Sequence, residues 1–71
     1  MNHFASNLKR IRMSREMSQT CLFIASGFTQ SQISDFERGR RTPSLNNLYR
    51  LQAALGCSWD DLLNKPNKKT K

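Results

Sequence analysis

The sequence predicts an all-α fold: five short helices in a single domain. Three observations predict it. Apolar residues recur at helical spacing, first as Phe4, Leu8 and Ile11 at i, i+4 and i+7, and later as Leu45, Leu48, Leu51 and Leu55. Hydroxyl residues and glycines bracket the apolar segments as start and stop signals. No stretch carries the strict alternation of a half-buried strand.

The elements follow in order. Helix 1 is expected over about 3–15, its apolar stripe flanked by Lys9, Arg10, Arg12 and Arg15. Ser18 is the N-cap of helix 2, "QTCLFIAS", because its hydroxyl can accept from a free amide of the first turn. Gly27 stops that helix by taking the left-handed conformation. Thr29 caps helix 3, which buries Ile33 and Phe36 and ends at Gly39. "RRTP" is the connection, and Ser44, after Pro43, caps helix 4, which Gly56 closes. Ser58 caps a short helix 5, "WDDLLN", whose Asp60 and Asp61 sit near the positive end of the helix dipole. Pro66 stops it. The domain is therefore expected over 1–64, and 65–71 form a basic tail expected to be disordered.

Length and composition narrow the function. The chain has 71 residues, enough for one domain that buries roughly 60% of its unfolded surface. Cys21 and Cys57 are far apart, and His3 stands alone, so neither a metal site nor a bound cofactor is expected. The cysteines read as two reduced thiols. No nucleophile–base pair or phosphate-cradling loop is present, which argues against an enzyme. No apolar run reaches the roughly 18 residues of a membrane span, and "MNHFASNLKR" lacks a signal-peptide core. A cytoplasmic protein without a membrane partner is expected. Lys and Arg number 12 against 5 Asp and Glu, a net charge of +7, which favours a polyanionic partner and nucleic acid before membrane.

Helices 2 and 3, joined by a tight turn around Gly27–Thr29, make a helix-turn-helix unit over about 18–38. At about 100° per residue, Ile33 and Phe36 face one way on helix 3, while Ser31, Ser34, Asp35 and Arg38 face the other, with Gln30 at the edge. A helix fits the DNA major groove with its first turns at the base edges. Gln has the length to pair bidentately with adenine N6 and N7, and Ser serves any base or a phosphate. The arginines just beyond the helix would meet the phosphate backbone.

The stretch "MSQTCLFIASGFTQSQISDFERGRRTPSLNNLYRLQAALGCSWDDLL" resembles the lambda-repressor/Cro-type helix-turn-helix family, also called the XRE family. The shared elements are the "SQ" opening helix 2, Gly27, Ile33, Phe36, "ERGRRTPSL" and the closing "ALGCSWDDLL". "FASNLKRIR" matches the usual first helix, so the resemblance spans roughly residues 4–63. It implies that Gln30 and Ser31 contact bases and that Asp35 occupies a further base-facing position. It also implies that Gln19 bonds a phosphate and braces Gln30, and that Arg38 and Arg41 contact phosphates. Arg12 and Glu37 fall where the family often has an ion pair between helices 1 and 3. With the helical phase, the candidate base contacts are Gln30, Ser31, Ser34 and Asp35. The candidate phosphate contacts are Gln19, Thr29, Arg38, Arg40 and Arg41.

Two departures stand out. Phe23 occupies a position where the family usually has Ala, so either the helices spread or Phe23 turns aside. Helix 2 carries no charge from Gln19 to Ser26, and Ile24 and Ala25 are placed toward solvent. Asp35 is repelled by phosphate; it could accept from cytosine N4 or reject wrong sites. The expected function is a double-stranded-DNA-binding transcriptional regulator, a repressor acting as a homodimer on a near-palindromic operator. Controller proteins of restriction–modification systems share the pattern, with RNA polymerase as a further partner. An antitoxin that binds a toxin protein is the second class, suggested by the uncharged helix 2 and the basic tail. Trp59 and Leu63 are the candidate dimer surface, with Leu62 expected in the core.

Overall fold

The computed structural model describes residues 3–63. Five α-helices account for the regular structure among them: α1 (Phe4–Ser14), α2 (Gln19–Ser26), α3 (Gln30–Arg38), α4 (Leu45–Leu55) and α5 (Trp59–Leu63). The tail expected over 65–71, and Pro66 within it, lie outside the described residues.

The predicted caps form. Ser18 Oγ accepts from the Cys21 amide at 3.0 Å, and Ser44 Oγ accepts from the Asn47 amide at 3.2 Å. Thr29 does more than cap α3. Its hydroxyl accepts from the Gln32 amide at 3.1 Å, and its own amide donates to Gln32 Oε1 at 2.9 Å, a reciprocal box that satisfies two free donors. Gly27 closes α2 at φ 82°, where a side chain would be strained. A Cβ there would also lie 2.7 Å from Nη2 of Arg50.

The close of α1 departs from expectation. The helix ends at Ser14 rather than about 15, and Glu16 takes the left-handed position at φ 58°. The Met17 amide then donates to the Arg12 carbonyl at 3.1 Å, which closes the helix as glycine does elsewhere. A non-glycine residue there costs on the order of 1–2 kcal/mol.

Phe36 sits at the centre of the core with no exposed surface. The rings of Phe4 and Phe28 meet it edge-on, at centroid distances of 5.8 and 5.4 Å. Leu8, Leu22, Ile33, Leu51 and Leu62 are fully buried around it. α1 packs on α3 and α5, and α2 packs on α3 and α4. Asn7 is buried within the apolar face of α1, where its Nδ2 donates to the Leu62 carbonyl at 3.0 Å and ties α5 down. Phe23 does not turn out to solvent; it is half-buried against the core. Leu45 is the exception in the α4 stripe. It stands at the first helical position, before α4 meets the core, and stays 65% exposed.

Candidate nucleic-acid interface

α3 presents two faces of opposite character. Ile33 and Phe36 are fully buried, which fixes the rotation of the helix about its axis. That rotation turns Gln30, Ser31, Ser34, Asp35 and Arg38 to the other side, where with Gln19 of α2 they line one shallow depression. Gln30, Ser31 and Arg38 are exposed, while Gln19, Ser34 and Asp35 are half-buried. The lining is a set of neutral donors and acceptors at the starts of α2 and α3, followed along α3 by Ser34, the carboxylate of Asp35 and the cation of Arg38.

Thr29, Arg40 and Arg41 do not line the depression. Thr29 is exposed at the N-cap of α3, with its hydroxyl held in the capping box. Arg40 and Arg41 are exposed in the segment after α3, beside Arg38, so the positive charge lies at the rim. Arg41 Nη2 is 3.9 Å from Oδ2 of Asp35. The side chains are 49% and 32% exposed, so this pair contributes under about 1 kcal/mol. It does offset the one carboxylate in the depression.

Beneath the depression lies a network that joins three helices. Arg12 Nε donates to Glu37 Oε2 at 2.6 Å, and Arg12 Nη2 donates to Glu37 Oε1 at 3.2 Å. The side chains are 10% and 4% exposed. Arg12 Nη1 also donates to the Met17 carbonyl at 2.7 Å, which holds the approach to α2. Gln19 Nε2 donates to Glu37 Oε1 at 3.1 Å. One N–H of the Gln19 amide is thus engaged with Glu37.

Trp59 and Leu63 are both half-buried and packed on the core, and Leu62 is fully buried. The Trp59 ring meets Tyr49 edge-on at 5.0 Å, and Tyr49 is 57% exposed. Leu45, expected in the apolar stripe of helix 4, is exposed, and so is Tyr49 one helical turn further on, a residue that the spacing of the stripe does not include. Two arginines were also missed. Arg15 Nε and Nη2 donate to the Leu55 and Gly56 carbonyls at 3.0 and 3.2 Å, capping the end of α4. Arg50 does the same for α2. Neither has a local signal, since the partner is 40 residues away for Leu55 and 24 for Ser26.

The thiols differ. Hydrogen bonding from Ser18, through its side chain first and its backbone second, lowers the pKa of the exposed Cys21. Burial, then the charge of Asp61, raises that of Cys57. Among the described residues, no group of three His, Cys, Asp or Glu could hold a metal ion.

Residues 8–62 match the family model described as Helix-turn-helix, which takes in α2, the Gly27 turn and α3. The chain belongs to the helix-turn-helix family. This helix-turn-helix protein is 41% identical over 58 residues to the uncharacterized HTH-type transcriptional regulator y4dJ of Sinorhizobium fredii, covering 82% of this chain and 75% of that one. It is 39% identical over 61 residues to the control protein C.BamHI of Bacillus amyloliquefaciens, covering 84% and 75%. Among solved structures, it superposes on the restriction-modification controller protein C.AhdI of Aeromonas hydrophila with a TM-score of 0.81 at 33% identity, covering 84% and 91% of the two chains.

Proposed function

We propose that this helix-turn-helix protein is a transcriptional regulator that binds double-stranded DNA in a sequence-specific manner. The single observation that carries the reading is the depression lined by Gln19, Gln30, Ser31, Ser34, Asp35 and Arg38, with Arg40 and Arg41 at its rim. Gln30 and Ser31, at the exposed N-terminal turn of α3, reach the major-groove base edges. Ser34 and Asp35 meet bases one turn further along. Gln19, Thr29, Arg38, Arg40 and Arg41 hold the phosphates on either side. The net charge of +7 supplies the long-range attraction.

The protein acts as a homodimer on a near-palindromic operator, because one α3 covers too few base pairs for a unique genomic address. Repression by covering a promoter is the simplest outcome of such binding. A second reading is favoured by the names of two relatives, a control protein and a restriction–modification controller protein: control of a restriction–modification system. Activation through RNA polymerase would be a step added to that reading. Both readings use the same DNA-binding face. Selection of bound duplexes from a random pool by the purified protein tests it. Enrichment of a motif with two-fold symmetry supports the reading, and a pool recovered without enrichment overturns it. Transcription in vitro from a promoter carrying the motif, with and without the protein, separates repression from activation.

A further inference from the structure

We infer that Glu37 is a positioning residue for DNA reading, which sets the polarity of the Gln19 side chain through the Arg12–Glu37 pair. This deepens the proposed function and rests on it. Glu37 Oε2 takes Arg12 Nε at 2.6 Å, and Oε1 takes both Arg12 Nη2 at 3.2 Å and Gln19 Nε2 at 3.1 Å. An ionised carboxylate only accepts, so the group that Gln19 turns to it must be the NH2 end of the amide. The orientation of the amide is therefore dictated by chemistry. Its Oε1 and its second N–H remain for the depression that Gln19 shares with Gln30.

The consequence is directional. A Gln free to flip would offer either end to the DNA and to Gln30. A Gln held by Glu37 offers a carbonyl and one N–H in fixed places. The carbonyl suits the NH2 end of Gln30, which leaves Gln30 with one N–H and its Oε1, the pair that matches adenine N7 and N6. The remaining N–H of Gln19 suits a phosphate oxygen. Glu37 is only 4% exposed, so it acts on DNA through Gln19 alone. Arg12 contributes by holding Glu37 with two bonds and the Met17 carbonyl with a third, so one guanidinium joins α1, the approach to α2, and α3.

The test is a cycle of Glu37→Gln and Gln19→Met, measured as affinity for a selected operator relative to unrelated DNA. Glu37→Gln is expected to lower that ratio about tenfold in the wild-type background and less than about twofold once Gln19 is Met. An equal loss in both backgrounds overturns the inference, since a residue that merely joins α1 to α3 would act without regard to Gln19. If Glu37→Gln does not fold, the double replacement Arg12→Met, Glu37→Met removes the carboxylate without stranding a charge, and the cycle is run on it. NMR of the free protein reads the anchor itself. The Gln19 amide protons should be protected from exchange in the wild type and lose protection in Glu37→Gln; unprotected protons in the wild type overturn the inference. An intact anchor in a protein that selects no DNA site would sink the DNA-reading function. An intact anchor with selective binding and an additive cycle would sink only the role of Glu37.

Discussion

The guanidinium of Arg50 lies 4.4 Å above the ring of Phe28 while its Nε donates to the Ser26 carbonyl at 3.1 Å. One side chain of α4 thus caps α2 and clamps the residue that leads into α3. The turn of the helix-turn-helix unit is fixed from outside the unit. A cation–π contact of this kind contributes about 0.5–2 kcal/mol, and the carbonyl bond adds to it.

Arg50→Ala should therefore lower stability by about 1–3 kcal/mol. Thermal melting followed by circular dichroism checks this, with a shift of roughly 4–8 °C per kcal/mol for a domain this size. Arg50→Lys keeps the charge but not the planar fork, so it should recover only part of the loss. A melting temperature unchanged in Arg50→Ala would show that the turn holds itself.

Arg12 and Glu37 should be strongly coupled in stability. Both side chains are nearly buried. Removing one partner leaves a charge without compensation, at about 3–5 kcal/mol. Urea unfolding of Arg12→Met, Glu37→Gln and the double variant forms the cycle. Additive losses would mean that the two charges do not depend on each other.

Much of this arrangement was legible in the sequence, for identifiable reasons. Ser18, Thr29 and Ser44 each cap through the amide three residues on, and Gly27, Gly39 and Gly56 stop helices by their own backbone freedom. Those effects act over three or four residues. The phase of α3 was legible too, because burying Ile33 and Phe36 leaves only one side for Ser31, Ser34, Asp35 and Arg38. The close of α1 was not, because Glu16 carries no turn signature, yet it takes a left-handed φ where the Met17 amide bonds back to the Arg12 carbonyl. Arg15, Arg50 and the turn of Gln19 toward Glu37 depend on partners 18 to 41 residues away. Long polar side chains with tertiary partners look the same in sequence as solvated ones.

Arg41→Ala tests the rim. A phosphate contact releases counterions, so its loss should flatten the slope of log K against log salt by about 0.9. The ratio of operator to unrelated-DNA affinity should hardly change. The pair with Asp35 adds a secondary effect: without Arg41, the Asp35 carboxylate meets the DNA uncompensated. An unchanged slope would place Arg41 away from the phosphates.

The outer side of α4 tests the dimer. Tyr49 and Leu45 are more than half exposed, and Tyr49 touches Trp59, which like Leu63 is half-buried against the core. Tyr49→Glu should abolish cooperative occupation of a two-half-site operator while leaving the helical circular dichroism intact. Leu63→Glu should also cost stability, because it places a charge against the core. Full two-site footprints with Tyr49→Glu would put the interface elsewhere.

On the proposed function, the exposed face of α3 reads base sequence, with Gln30 as a direct reader. Parallel selections from the same random duplex pool, one with the wild type and one with Gln30→Ala, test it most directly. The wild type should enrich half-sites centred one DNA turn apart, about 34–36 Å. Gln30→Ala should lose preference at one position in each half-site, worth about 1–3 kcal/mol, while the remaining positions and the spacing persist. An identical motif from both proteins, at every position, would contradict the claim that Gln30 reads a base.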